Sequence, residues 1–335
     1  MRPSFNSPKI YTTLLSDPMG KSYPIYSMVV SDEFILNTPD ALMSGIATQK
    51  IINHCCPDLI EPENLSICDI QHILSNIRIA SGGMSLDLLL TCPKCNTKDP
   101  YEIDLTSSIT SLTIKSWNTP FNINSSLQIY ITPASYKQYT EFSINNFRLK
   151  KQIYQIVHLE AIDGYEEKLS KLIEQQKKLI LEYESQMIEK IIIDNSITVN
   201  EKKFIVEWVN QIDISMQLKI SEYIESAIKQ TFLPELHICC DECHHNYIVP
   251  LELDFSEQFR LKLISMSAQE IIDEISKMSA ENDKLTDDIL KMIWYMRGSI
   301  SYSEAYNLTV YERKSISNII KENIETSKKS GFPII

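Results

Sequence analysis

Two short cysteine motifs, Cys92-Pro93-Lys94-Cys95 and Cys240-Asp241-Glu242-Cys243, constrain this chain more than anything else in it. Each follows an apolar run, Leu88-Leu89-Leu90 in one case and Leu236-His237-Ile238 in the other. Each precedes an alternating segment, Ile103-Asp104-Leu105 or Leu251-Glu252-Leu253. Matching positions lie 148 residues apart without a gap, so the pattern predicts strand, tight knuckle and strand twice over. A C-x-x-C knuckle aims two thiolates at one point, and tetrahedral zinc needs four ligands. The two half-sites therefore predict one structural zinc per chain, held by Cys92, Cys95, Cys240 and Cys243. Four thiolates would leave no coordination position for water or substrate. Two other readings of the same residues stand beside this one. Four reduced cysteines can simply be buried as small hydrophobes. A redox pair of the thioredoxin type is the other, but it calls for a βαβ context and one motif rather than two.

Around the motifs the sequence reads as an α+β chain that is predominantly helical. Two β-hairpin zinc knuckles form a zinc-ribbon-like module, with a long helical insertion between them and a helical region after them. Ile10–Leu15 and Tyr23–Val30, separated by Asp17-Pro18-Met19-Gly20, read as extended segments around a turn. Helices are expected from Asp32-Glu33 onward, through Leu42, Ile46 and Ile51, and again from Asp69, with Ile70, Ile73, Leu74 and Ile77 on one face. Gly82-Gly83 should stop that helix before the first knuckle. Leu127, Ile129 and Ile131 alternate as in a strand, and Pro133 marks a change to helix. Residues 134–231 read as nearly all helical, broken around Asp194-Asn195-Ser196 and near Asp213. Their apolar stripe, which includes Ile162, Leu169, Leu172, Leu179 and Met187, is expected to pack on the chain's own helices. After the second knuckle, helices are expected at about 267–280, at 285–298, and from Thr309 to Lys328. The domain boundaries that follow are 1–132 with the first knuckle, 133–233 as a helical block, 234–255 as the second knuckle packed on the first, and 256–335 as a C-terminal helical region.

Composition matters chiefly for what it excludes. The net charge of −12 and pI near 5.1 disfavour nucleic acid as a partner, because phosphate binding draws its affinity from lysine and arginine. Only 7 glycines occur in 335 residues, which argues against glycine-rich phosphate loops. No apolar run reaches the length of a membrane span, and Met1–Ser27 shows no secretory apolar segment. Eight cysteines, half of them in knuckles, suit a reducing compartment. Cys55, Cys56, Cys68 and Cys239 lack ligand spacing and are expected to be buried. His158-Leu159-Glu160 ahead of Cys240 and Cys243 is superficially like a zinc deaminase motif. No proline precedes Cys240, however, and the gap is far too long for that compact site.

The ordered set of segments resembles the baseplate hub and hub assembly proteins of T-even-type tailed phages. The resemblance runs through Met28-Val29-Val30 with Asp32-Glu33, then Asp69 with Ile77-Arg78-Ile79-Ala80-Ser81-Gly82-Gly83. It continues through the first knuckle, Phe204-Ile205, Ile220 with Tyr223-Ile224, and the second knuckle to Phe255. It closes with Ile293-Trp294-Tyr295, Ser301–Ala305 and Leu308–Arg313. Where that family's knuckles usually carry glycine after the second cysteine, Asn96 and His244 stand here. The resemblance implies a non-enzymatic phage tail protein, a hub component or a hub assembly factor. Its partners would be other baseplate or hub proteins, met in the host cytoplasm during assembly and possibly retained in the virion tail. The alternative is a zinc-ribbon nucleic-acid-binding or regulatory protein, which the charge disfavours. Tyr295, Tyr302, Tyr306 and Tyr311, with the Ile334-Ile335 tail, are expected to form a docking surface, and Trp294 to cap the chain's own core.

Overall fold

The computed structural model describes residues 9–110, 112, 117, 119–158, 165–194, 196–230, 232–233, 235–249 and 251–330. Leu159, Glu160, Ile162 and the Ile334-Ile335 tail therefore lie outside the described residues. The chain opens with a small antiparallel pair, β1 (Ile10–Thr12) and β2 (Tyr23–Ile25), then three short helices, α1 (Val30–Leu36), α2 (Pro39–Met43) and α3 (Ile46–Cys55). Next comes α4 (Ile67–Gly82), which the Ser66 side chain caps by accepting the Asp69 amide at 3.1 Å. Such a cap satisfies one of the orphan N–H groups of the first turn. Ile67, Ile70, Ile73, Leu74 and Ile77 are all buried, making α4 the central helix of the main core. It ends as the sequence suggests. Gly82 is its last residue and Gly83 follows at φ +90°, with nothing near the place a Cβ would take.

The first knuckle hairpin, β3 (Ser85–Thr91) and β4 (Lys98–Asp104), leads into α5 (Leu105–Thr110). A four-stranded antiparallel meander follows: β5 (Phe121–Asn124), β6 (Leu127–Ile131), β7 (Ile188–Ile193) and β8 (Ile197–Val199). Between the paired strands β6 and β7 the chain makes an excursion through α6 (Tyr136–His158) and α7 (Tyr165–Met187), 23 residues each. At 1.5 Å per residue each helix is roughly 35 Å long. Ile131 pairs with Ile188, so the excursion leaves and rejoins the sheet at neighbouring positions. The Phe142 and Tyr183 rings stack at 4.1 Å and tie the two helices together. Of the expected apolar stripe, Leu172 and Met187 are buried, while Ile162 lies outside the described residues. The break near Asp194 is a β-hairpin rather than an interruption between helices. Its Ile-rich strand β7 is favoured by β-branched side chains, and Asp194 takes the turn at φ +49°.

Then come α8 (Lys202–Gln211) and α9 (Ile214–Lys229), the second knuckle hairpin β9 (Leu236–Cys239) and β10 (Asn246–Val249), and α10 (Phe255–Ile264). The last helices are α11 (Ala268–Tyr295), α12 (Tyr302–Ala305) and α13 (Val310–Ser330). α11 is one continuous helix rather than the two expected at 267–280 and 285–298. Asn282, which reads as a break, sits within it and donates its side-chain amide to the Asn37 carbonyl at 3.2 Å. Trp294 is 80% exposed, contrary to its expected place in the core. Leu285, Ile289 and Met292 take the buried face of α11 and leave Trp294 on the other side.

A buried polar network locks the exit of the second knuckle to the rest of the fold. Asp254 caps α10 by accepting the Ser256 amide at 2.9 Å. Its carboxylate also accepts the Thr48 hydroxyl from α3 at 2.6 Å and the Tyr136 hydroxyl from α6 at 2.7 Å. One turn on, Arg260 is 1% exposed and pairs with Glu257 at 2.8 Å. It also donates to the Leu42 and Met43 carbonyls at the end of α2, at 3.4 and 3.3 Å. Lys151 of α6 donates to the last carbonyls of α10, Leu263 among them at 2.8 Å, which compensates the helix dipole there. Truncating Arg260 would strand the mostly buried Glu257 carboxylate without a counter-charge. Arg260→Ala is therefore expected to lower the unfolding free energy by about 3–5 kcal/mol, read by urea titration. A loss below about 1 kcal/mol, the range of an exposed ion pair, would refute the assignment of Arg260 to the core.

Candidate metal centre

The two knuckle hairpins repeat one another in hydrogen-bond detail. In the first, Leu88 pairs with Tyr101 and Thr91 with Lys98; in the second, Leu236 pairs with Val249 and Cys239 with Asn246. Every one of these partners is displaced by the same 148 positions. The turns match as well. The Cys92 amide donates to the Thr97 carbonyl at 2.9 Å and the Cys240 amide to the His245 carbonyl at 3.0 Å. The Asn96 amide closes on the Cys92 carbonyl and the His244 amide on the Cys240 carbonyl, both at 2.9 Å. Alternation places Leu86, Leu88 and Leu90 on the inner face of one hairpin and Leu236 and Ile238 on that of the other. The same alternation turns Cys239 outward. It is exposed, not buried as expected, whereas Cys55, Cys56 and Cys68 are buried.

The hairpin tips meet. Cys92 Sγ lies 3.6 Å from Cys243 Sγ, and Cys95 Sγ lies 3.6 Å from Cys240 Sγ. Exchanging the two hairpins turns the first contact into the second, so the cluster has an approximate two-fold axis. All four sulfurs fall within 4.8 Å of one another. A disulfide needs about 2.05 Å, so these contacts are not disulfides. A tetrahedron with metal–sulfur bonds of about 2.3 Å has sulfur–sulfur edges of roughly 3.8 Å, which is the scale observed. Cys92 and Cys240, the first cysteine of each motif, are buried at 1% and 0% exposure, while Cys95 is exposed and Cys243 half-buried. Outside the tips, the Tyr101 hydroxyl donates to the Cys239 carbonyl at 3.2 Å and joins one hairpin to the other.

The electrostatics also suit a cation. Hydrogen bonds from the Thr97 hydroxyl and amide lower the Cys95 thiol to about 6. Desolvation first, and then the neighbouring sulfurs, push Cys243 up to about 12 against the pull of the His245 amide. The Cys95 thiolate forms readily, while Cys240 and Cys243 resist joining it. A divalent cation among the four would remove that resistance and hold all of them as thiolates. His158, the residue considered for a deaminase-like site, ends α6 and packs at a tilt against the Tyr154 ring, centroids 4.5 Å apart, outside the sulfur cluster.

Sequence reasoning missed the polar clamp beside the knuckle. Asp254 with Glu257 three residues later had the form of a helix N-terminal signal. Thr48, Tyr136 and Arg260 carried none, because their partners are far away in sequence. The knuckle turns carry a cost that was visible. Asn96 and His244 both adopt the left-handed conformation, at φ +59° and +52°. That conformation costs a side chain with a Cβ roughly 1–2 kcal/mol, and Asn tolerates it best. His244→Gly is accordingly expected to stabilise the second knuckle by up to about 1 kcal/mol after the entropy cost of glycine, with a smaller gain for Asn96→Gly. Thermal unfolding of the two variants measures this, and destabilisation by His244→Gly would contradict it.

No curated protein and no solved structure matches the chain significantly. A family model described as T4 bacteriophage base plate protein matches residues 18–260. The matched stretch holds both knuckles, ends inside α10 and takes in well over half of the chain. The protein belongs to that T4-type baseplate family.

Proposed function

We propose that the protein is a non-enzymatic component or assembly factor of the baseplate hub, pinned by one structural zinc per chain. The observation that carries the zinc is the four-sulfur cluster drawn from two hairpins of identical register. Zinc accepts tetrahedral all-thiolate coordination and has no redox chemistry of its own. Bound to Cys92, Cys95, Cys240 and Cys243, it would have no free position for a substrate. The site would then serve rigidity rather than catalysis, with the two hairpins acting as one zinc-ribbon-like module. Residues 1–132, 133–233 and 256–335 would be the N-terminal α/β region, the helical block and the C-terminal helical region around it.

Family membership supports other phage baseplate proteins as partners and the virion tail as the destination, reached through assembly in the host cytoplasm. No helix among the described residues is long and apolar enough to cross a membrane. The surface proposed for docking is aromatic. Trp294, Tyr295, Tyr302 and Tyr311 are 80%, 44%, 51% and 78% exposed, and Trp and Tyr are enriched at the energetic centres of interfaces. Tyr306 differs from them. Its ring stacks on Phe34 at 5.1 Å and serves the fold.

Two experiments address these proposals. Metal analysis of the purified chain is expected to return about one zinc per chain, lost in Cys92→Ser/Cys240→Ser. Stripping the metal from a site previously held at a thousandfold excess over its Kd should lower stability by about 4 kcal/mol. A chain grown with zinc that contains none, and whose melting ignores both serines, rejects the zinc. For docking, Trp294→Ala/Tyr302→Ala is expected to leave the isolated fold within about 0.5 kcal/mol and to reduce incorporation into hub assemblies. Normal incorporation of the folded double variant rejects the docking surface.

A further inference from the structure

The duplicated hairpins differ at one telling position. Asp104, at the end of β4, is exposed, while its equivalent Glu252 lies between the buried Leu251 and Leu253. The half-buried Glu252 lines a partly open cavity of about 240 Å³ at the root of the two knuckles. Leu74 and Arg78 of α4, Leu86 and Leu88 of β3, and Phe255 and Gln258 of α10 are among its other walls. The carboxyl accepts the Asp254 amide at 2.7 Å. Its charged neighbours at the start of α10, Asp254 and Glu257, are both acidic. The Gln71 side chain of α4 and the Tyr139 hydroxyl of α6 lie beside it, and Arg78 of α4 lines the cavity with its guanidinium against Gly82. The nearby cations do not neutralise it. Arg260 is taken by Glu257, and no ion pair among the described residues includes Glu252 or Arg78. Asp254 spends its own oxygens on the α10 cap, Thr48 and Tyr136.

We propose that Glu252 is a proton-controlled latch for the second knuckle. With its proton on, residues 251–254 stay seated on α4 and α10 and hold the second hairpin against the first. With the proton off, a third carboxylate charge stands beside those of Asp254 and Glu257, and the segment lifts from its seat. Burial, followed by the charge of Asp254, pushes the Glu252 carboxyl up from 4.5 to about 8. The seated form therefore binds the proton more tightly than the lifted form. Seating is strongest below about pH 4.5 and weakens as the pH rises through 8.

The test is amide exchange across residues 246–254 of the full-length protein at pH 6.5 and 8.5, corrected for intrinsic rates. Carboxyl values of 4.5 and about 8 for the lifted and seated forms predict about a twentyfold rise in local opening over that interval. Glu252→Gln should remove the rise and stay protected at both pH values. The cysteine cluster cannot mimic this result, because thiolate coordination tightens as pH rises. Should Glu252→Gln fail to fold, a carboxyl-specific NMR titration of the unsubstituted chain decides instead. A Glu252 value near that of an ordinary glutamate overturns the latch. So does flat exchange in the unsubstituted protein, which would mean that Arg78 turns into the cavity and neutralises the carboxylate. A rise that survives in Glu252→Gln overturns it too.

Discussion

Four sulfur atoms from hairpins 148 residues apart must arrive at one point, and the rest of the fold is arranged so that they can. Closing a loop of about 150 residues costs roughly 5 kcal/mol in chain entropy. A knuckle cannot meet that cost alone, because its own contacts are few. The intervening chain meets it by nested excursions that each return near their start. The meander pairs β5 to β8 in sequence order, and α6 and α7 leave and rejoin it at Ile131 and Ile188. α8 and α9 then carry the chain back across the main core, to which Ile205, Val209, Ile220 and Ile224 contribute. Leu251 and Leu253 join the same core as Leu86 and Leu105. The apolar core thus brings the hairpins together, and a metal would fix an encounter that packing has already made.

A second clamp lies next to the first and works by different chemistry. Asp254 gathers hydroxyls from α3 and α6 while capping α10, and Arg260 reaches back to α2. Such a network is favourable only when every member is satisfied, since an unpaired buried polar group is costly. The sulfur cluster and the carboxylate network stand at opposite ends of the same short stretch, 240–254. The duplicated hairpin is therefore symmetric at its tip and asymmetric at its root. Both roots have a carboxylate that accepts an amide two residues on, Asp104 from Thr106 and Glu252 from Asp254, but Asp104 is exposed whereas Glu252 lines a cavity.

What was legible in the sequence follows from the range of each signal. The knuckles were legible because a C-x-x-C turn and its flanking alternation are local, and the constant offset extended them into a pair. The stop of α4 at Gly82-Gly83 was legible for the same reason. The β7–β8 hairpin was not. Ile188 continues the helical stripe of α7 through Met187, and the strand signal in Ile191-Ile192-Ile193 was read as more of the same. The division of α11 failed in the opposite direction. A polar run at Glu281-Asn282-Asp283 looks like a break, yet Asn282 has a tertiary partner in Asn37 that compensates for its weak helix propensity. Partners hundreds of positions away, such as Thr48 for Asp254 and Leu42 for Arg260, leave no local trace at all.

The two ends of the molecule answer to different demands. The matched family region runs from residue 18 to 260 and ends at the arginine that closes the polar network. Beyond it, α11 buries only Met278, Leu285, Ile289 and Met292 along 28 residues. Among the described side chains of α13, residues 310–329, none is fully buried. Helices this sparsely packed gain little from their own chain, because helical stability in proteins comes mainly from burying an amphipathic face. Their exposed aromatics are the opposite of what an isolated domain would favour. A rigid clamped platform followed by lightly anchored aromatic helices is the arrangement expected of a part that completes its packing inside an assembly. On the docking proposed above, the polar network would fix where the helices start, and a partner would supply the burial that the chain itself withholds.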